Sequence, residues 1–220
     1  MSNILVQLDD VTRHHVVGSE IVFALKAVSC SVKADEHVVV TGASGSGKST
    51  LLAQMASLDR PDFGIVTWPS LPAKALLRPQ YVSVSFQSPS LLPSLTVQQN
   101  VQVPLLVLGQ QDIEQKSIRA LERLSIAHLH ERLPDEISGG QAQRVALARA
   151  MVTEPALLLA DEPTGQLDQE TGQHVVDVLI AWADEVKCTL VVATHDGQVA
   201  RKFKTQWSMS FGVLKGGDAS

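Results

Sequence analysis

Little in this chain favours an oxidised exterior, a nucleic acid or a membrane interior. There are two cysteines in 220 residues, Cys30 and Cys188, placed in the apolar strand-like stretches around 27–32 and 189–193, and neither has metal-ligand spacing around it. That scarcity argues against a disulfide framework and reads as buried, reduced thiols. Basic charge is also short: 18 Lys and Arg against 23 Asp and Glu leave a formal net charge of -5 and a pI near 5.8. Without a broad basic surface, nucleic acid is not expected as a main partner, and binding to anionic lipid has no support. No apolar run approaches the roughly 18 to 20 residues that span a bilayer. The first ten residues lack a basic segment followed by an apolar one, so the protein is expected to stay in the cytoplasm. Internal repeats, low-complexity tracts and linkers are missing, and nothing long follows Ser208 to Leu214, so a separate regulatory domain is not expected. What the chain does have is 45% hydrophobic residues, enough for a real core in one large or two small domains.

One segment stands out chemically. Gly42-Ala43-Ser44-Gly45-Ser46-Gly47-Lys48-Ser49-Thr50 fits G-x-x-x-x-G-K-[ST], follows the apolar run Val38-Val39-Val40 and precedes the helix-like run Leu51 to Met55. Glycines let the backbone wrap a phosphate with its N–H groups pointing inward, while the next helix offers its positive end. Lys48 adds a point charge for β- and γ-phosphates, and the Ser49 hydroxyl is placed to complete the shell of a magnesium ion between them. A glycine-rich surface turn explains the glycines but not Gly-Lys-Ser-Thr between a strand and a helix. The chain is therefore expected to bind a nucleoside triphosphate.

The order of parts suggests a mixed α/β fold. Alternation at Ile4 to Leu8 and Ala27 to Val32 predicts a β-rich opening. A turn cluster, Asp59 to Gly64, separates the phosphate-loop helix from short strands at Ile65 to Trp68 and Tyr81 to Phe86. From Pro89 to about Glu136 the alternation stops, prolines punctuate the chain, and Ile118, Leu121 and Leu124 form a helical stripe, which predicts an inserted helical subdomain. Helices over Gln141 to Val152 and Thr171 to Ala183 then alternate with strands over Ala156 to Ala160 and Thr189 to Ala193, the pattern of a parallel sheet.

Asp161 and Glu162 directly follow an apolar strand and so stand at the carboxyl end of a sheet, the edge where open α/β folds bind ligands. Asp161 is expected to bind magnesium, directly or through water. Glu162 is expected to orient and polarise the attacking water opposite the γ-phosphate. Ser138-Gly139-Gly140-Gln141 is a second glycine-bearing helix start in a chain that already has a phosphate cradle. Such a helix N-terminus suits the γ-phosphate of a nucleotide held by a second copy, and the alternative is plain helix capping by Ser138.

Taken in order, Gly42 to Thr50, Gln87, Ile137 to Gln141, Leu157 to Glu162, Gly165-Gln166-Leu167-Asp168 and His195 resemble the motifs of ATP-binding cassette ATPases over nearly the whole chain. The resemblance implies a P-loop NTPase core with a mostly parallel sheet, an N-terminal antiparallel β subdomain and an inserted helical subdomain. The core and β subdomain would take about 1–88 and 138–220, and the helices about 89–137. It also implies ATP and Mg2+ as ligands, Gln87 as a contact to magnesium and water, and Ser138 to Gln141 as the signature. Asp168 would cross a homodimer interface, and His195 would touch the γ-phosphate. An aromatic ring that stacks on adenine in this family is replaced by His15 in Arg13-His14-His15, leaving open a stacking role or a solvated histidine pair on an edge strand. Other departures are Ile137 for the usual leucine, Asp35 for the glycine before Glu36, and a short segment between Trp68 and Tyr81.

The stretch from Gln87 to Gly109 and the run Leu159 to Gly165 are more narrowly similar to the lipoprotein-releasing and macrolide-exporting branch. That likeness implies integral membrane permease subunits as partners, contacted near Gln87 to Leu108, and a peripheral place on the cytoplasmic face of the inner membrane. Leu91, Leu92 and Val101 would be subdomain core or docking surface. The alternative is an ATP-switched regulatory clamp that moves no substrate, as in cell-division relatives. A P-loop kinase or GTPase would have no use for Ser138 to Gln141.

Overall fold

The computed structural model describes residues 3–72 and 77–217; the short segment between Trp68 and Tyr81 lies partly outside them. The chain opens on two long antiparallel strands, β1 (Ile4–Val17) and β2 (Glu20–Lys33), longer than the local alternation indicated. Several register shifts interrupt their pairing, which explains why the apolar alternation breaks in the sequence. With β4 (Phe63–Thr67) they form a three-stranded antiparallel sheet in the order β2-β1-β4.

The second sheet has six strands in the order β5-β6-β7-β3-β8-β9. β3 (His37–Thr41), β5 (Val82–Ser85), β6 (Leu157–Asp161), β7 (Thr189–Thr194) and β8 (Thr205–Ser210) run parallel, and β9 (Val213–Lys215) returns antiparallel to β8. Both faces of this sheet are covered, which is why its central strands read as unbroken apolar runs. Val39, Leu158, Ala160, Leu190 and Val192 face one core with the helices. Val38, Val40, Leu157, Leu159, Val191 and Ala193 face the other, shared with the three-stranded sheet and α1 (Lys48–Met55).

Between β5 and β6 lie α2 (Val97–Val107), α3 (Ile113–Arg123), two single 3-10 turns and α4 (Gly139–Met151). α2 starts on a Thr96–Gln99 capping box and contains Pro104. Leu121 and Leu124 of the helical stripe are buried in the first core and Ile118 packs against it. Leu91, Leu92 and Val101 divide between the two roles left open for them: Val101 is buried, Leu91 packs against the core, and Leu92 is exposed. α5 (Gln169–Val186) and the short α6 (Gly197–Ala200) complete the chain's helices among the described residues. Cys30 lies in β2 and Cys188 just before β7; both are buried and free, and burial pushes each thiol up to about 12.

Candidate functional site

Four neighbouring parallel strands bring the functional residues together. In the order β5-β6-β7-β3, their carboxyl ends lead into Gln87, Asp161 and Glu162, His195, and the loop from Gly42 to Gly47. Residues far apart in sequence thereby line one cleft of about 520 Å³: His15, Ser44, Gly45, Gly47, Lys48, Ser49, Thr50, Gln87, Asp161, Glu162 and His195. Val22, Phe23 and Ala24 of β2 line it too. These three were not anticipated, although the β-branched pair Ile21-Val22 before Phe23 carries a strand signal that could have extended β2 toward its start.

The loop is held by its own backbone. Gly47 caps α1 at φ +109, and a Cβ there would stand 2.2 Å from the Ala24 carbonyl oxygen, so only glycine fits the approach to β2. Gly42, Ala43 and Ser46 are not among the residues that line the cleft; Ser46 N–H donates to Ala43 O at 3.2 Å, and Gly212 N–H donates to Ser46 O at 3.0 Å. Lys48, 6% exposed, donates from Nζ to Gly42 O at 2.8 Å and Ala43 O at 3.1 Å. Its ammonium lies 3.7 Å from Glu162 Oε1. The loop therefore holds one buried positive charge against its own carbonyls at the start of α1, where a helix N-terminus favours phosphate.

Opposite it, Glu162 is 8% exposed and takes a left-handed φ of +47 directly after β6. His195 Nδ1 lies 3.0 Å from each of its carboxylate oxygens, and the Thr194 hydroxyl donates to Oε2 at 3.3 Å. Asp161, the last residue of β6, is 7% exposed. Burial raises its carboxyl above the usual carboxylate range; the Ser49 hydroxyl and, more weakly, the Lys48 charge oppose that rise, while Glu162 adds to it. Asp161 Oδ1 is buried with no hydrogen-bond partner among the described residues. A buried, unpartnered carboxylate oxygen beside a hydroxyl fits a small oxygen-loving cation such as Mg2+, most of whose shell comes from phosphate and water. No group of three or more His, Cys, Asp or Glu side chains among the described residues could hold a metal without such help.

His14 and His15 differ. Both pair with β2, opposite Phe23 and Val22, and lie beyond Thr12, the last residue of β1 that pairs with β4, so at this point β1 has a strand partner on one side only. His14 is partnered rather than solvated: its Nδ1 lies 2.9 Å from Asp62, whose carboxylate also accepts its backbone N–H, and its ring packs 5.9 Å from Phe23. His15 is exposed at the cleft.

Ser138, Gly139, Gly140, Gln141 and Asp168 are not among the residues that line the cleft within one chain. Ser138 Oγ accepts from Gln141 N–H at 3.2 Å while Gln141 Oε1 accepts from Ser138 N–H at 2.8 Å, so the capping alternative is realised in full. Asp168 likewise caps α5 through Thr171 N–H. Ser138, Gly139 and Asp168 are nonetheless exposed.

A second concavity, about 410 Å³ and largely apolar, lies beside the cleft between β5 and α2. Leu58, Phe86, Leu92, Pro104 and Val107 line it, with Arg149 donating to the carbonyls of Pro89 and Ser90 at its wall. Phe86 faces this groove and the next residue, Gln87, lines the cleft.

A family model described as "ABC transporter" matches residues 25–165. Among curated proteins, the lipoprotein-releasing system ATP-binding protein LolD of Hydrogenovibrio crunogenus is 37% identical over 96% of this chain and 96% of its own length. An uncharacterized ABC transporter ATP-binding protein of Methanocaldococcus jannaschii, MJ0796, is 40% identical over 90% of this chain and 89% of its own. A solved dimeric structure of MJ0796 in a post-hydrolysis state, bound to ADP and Pi, superposes with a TM-score of 0.87 at 33% identity, covering 98% of this chain and all of that one.

Proposed function

This chain belongs to the ABC transporter family and is an ATPase of it; from that premise we propose that it is the ATP-hydrolysing subunit of a membrane transporter. Two copies close around two ATP molecules, and that closure moves permease subunits in an export, lipoprotein-release or mechanotransmission system. The observation that carries this reading is the adjacency of Phe86 and Gln87: one residue faces the apolar groove and the next faces the cleft. A change at the nucleotide is thereby one peptide unit from a surface suited to an apolar partner helix. The relatives' descriptions, a lipoprotein-releasing system and an ABC transporter, point the same way.

Each residue of the cleft has a part. Backbone N–H groups from Gly42 to Gly47 cradle the phosphates, and Lys48 neutralises the β- and γ-oxygens. Thr50, just behind Ser49, lines the same cradle. His15, with Val22 and Phe23 nearby, flanks the base. Ser49, Asp161 and Gln87 hold Mg2+, which supplies charge neutralisation at the phosphates. Glu162 orients and polarises the attacking water, and His195 contacts the γ-phosphate. Ser138, Gly139, Gly140 and Gln141 approach that phosphate from the second copy, where their exposed helix start brings N–H groups and a positive dipole end. Asp168 crosses the same interface.

The division into a core with β subdomain over about 1–88 and 138–220 and a helical subdomain over about 89–137 belongs to this reading. So does a peripheral place on the cytoplasmic face of the inner membrane: no helix among the described residues is long and apolar enough to cross a bilayer, so membrane contact runs through the permease.

The test is extraction of tagged Glu162→Gln protein from its native membranes in mild detergent with ATP and magnesium. A stoichiometric integral membrane partner, lost when the groove residue Val107 is changed to Glu, is the expected result. Recovery of soluble or ribosomal partners alone would overturn the assignment.

A further inference from the structure

Thr194 ends β7 fully buried, although it is a polar residue directly before His195 of the cleft. Its hydroxyl makes two bonds. Oγ1 donates to Glu162 Oε2 at 3.3 Å and accepts the backbone N–H of Asp196 at 3.0 Å. A hydroxyl proton is free to rotate, but an N–H already seated on the oxygen's lone pair leaves the O–H directed away from it. Asp196 therefore aims the Thr194 proton at the glutamate. Asp196 is itself fixed, its Oδ1 accepting from Gln198 N–H at 2.7 Å as the cap of α6.

The same two bonds bracket His195. Thr194 and Asp196 are tied to each other on either side of it, and its Nδ1 meets the same carboxylate from outside. Glu162 needs such restraint. Its backbone sits at φ +47, off the ordinary strand path, and its long side chain has three rotatable bonds that solvent alone would leave free. His195 is exposed at the cleft and Lys48 is 3.7 Å away, so Thr194 is the buried, uncharged donor on the carboxylate.

We propose that Thr194 is a positioning residue for hydrolysis: it holds the Glu162 carboxylate, and through Asp196 the His195 loop, in the orientation from which water is directed at the γ-phosphate. The inference rests on the assignment of Glu162 as the water-orienting group. Thr194 touches no substrate, so its loss acts on turnover and leaves nucleotide binding alone.

Thr194→Val keeps the shape and loses both bonds; Thr194→Ser keeps the hydroxyl and loses a methyl. Purified protein would be assayed for steady-state ATP hydrolysis with magnesium and, separately, for equilibrium binding of a fluorescent ATP analogue. We expect kcat of Thr194→Val to fall about 10- to 100-fold with binding unchanged, and Thr194→Ser to recover most of the rate. In Glu162→Gln, adding Thr194→Val should cost nothing further. If Thr194→Val does not fold, Thr194→Cys replaces the strong donor by a weak one at similar size. Wild-type turnover in Thr194→Val, equal losses in the Val and Ser variants, or a parallel loss of binding would each overturn the proposal. Undiminished hydrolysis in Glu162→Gln would instead overturn the role given to the glutamate.

Discussion

The side-chain oxygen of Gln166 lies 2.7 Å from where a Cβ on Gly139 would be. The start of α4 and the loop that leaves Glu162 therefore touch within one chain, since Gly165 N–H donates to Glu162 O and Gln166 follows. At Gly140 the neighbour is less forgiving: a Cβ would meet the Gln166 backbone oxygen and a Leu167 methyl, both at 3.0 Å. A glutamine side chain can swing away; a backbone carbonyl cannot without moving its loop.

That difference makes an ordered prediction. Gly139→Ala should keep the melting temperature within a degree or two of wild type, while Gly140→Ala should cost about 1 to 3 kcal/mol, in the range of overpacking. ATP turnover should fall in both if, as proposed, both present their N–H groups to the nucleotide of the second copy. Thermal unfolding and hydrolysis measured on the same samples separate the two roles, and equal melting temperatures would remove the packing argument.

Complementation tests the shared site. Ser138→Asp keeps a good helix cap but sets a negative charge against the γ-phosphate, and Lys48→Ala removes the phosphate's counter-charge. Each homodimer should be inactive. Mixed in equal amounts, half the dimers hold one complete site of two, so roughly a quarter of wild-type turnover should return. No recovery after confirmed subunit exchange would mean that Ser138 does not act across the dimer.

Acid should loosen the start of the chain through Asp62. The backbone N–H of His14, together with the His14 and Arg13 charges, holds its carboxyl below the usual value. A depressed pKa contributes stability that is present above the unfolded carboxyl's value, about 4, and is lost as pH falls through the lower folded value. The stability gap between wild type and Asp62→Ala, from urea unfolding, should therefore be largest near neutrality and shrink below about pH 4. A gap that grows on acidification would contradict it.

The two thiols offer a simple check on burial. Each is pushed up to about 12, so at pH 8 both are protonated and enclosed. A thiol-exchange dye should react with neither in the folded protein and with both after denaturation. Rapid labelling of Cys30 would mean that the β1–β2 sheet opens readily.

The phosphate loop, the Asp161-Glu162 pair and the Ser138 start are legible in the chain itself, because each is a short run whose residue types and order are dictated by local chemistry: glycine for tight backbone, lysine for phosphate, carboxylates at a strand end. His195, a single histidine after a strand, is singled out only by the resemblance of the ordered motifs to a family. The parallel strands are legible for a related reason, since burial on both faces leaves unbroken apolar runs such as Leu157 to Ala160. Three things came only with the folded molecule. Phe23 joins the cleft because β2 is longer than its alternation suggests and passes beside Gly47. His14 proves to be an Asp62 partner while His15 faces the cleft, a split between adjacent histidines that depends on the pairing of β1 with β2 and on Asp62, just before β4. Thr194 acquires a task because strand order sets β7 beside β6, and no spacing along the chain encodes which strands become neighbours. Local chemistry is written in short segments, but adjacency between segments is decided by how their apolar faces pack, and that is a property of the whole fold.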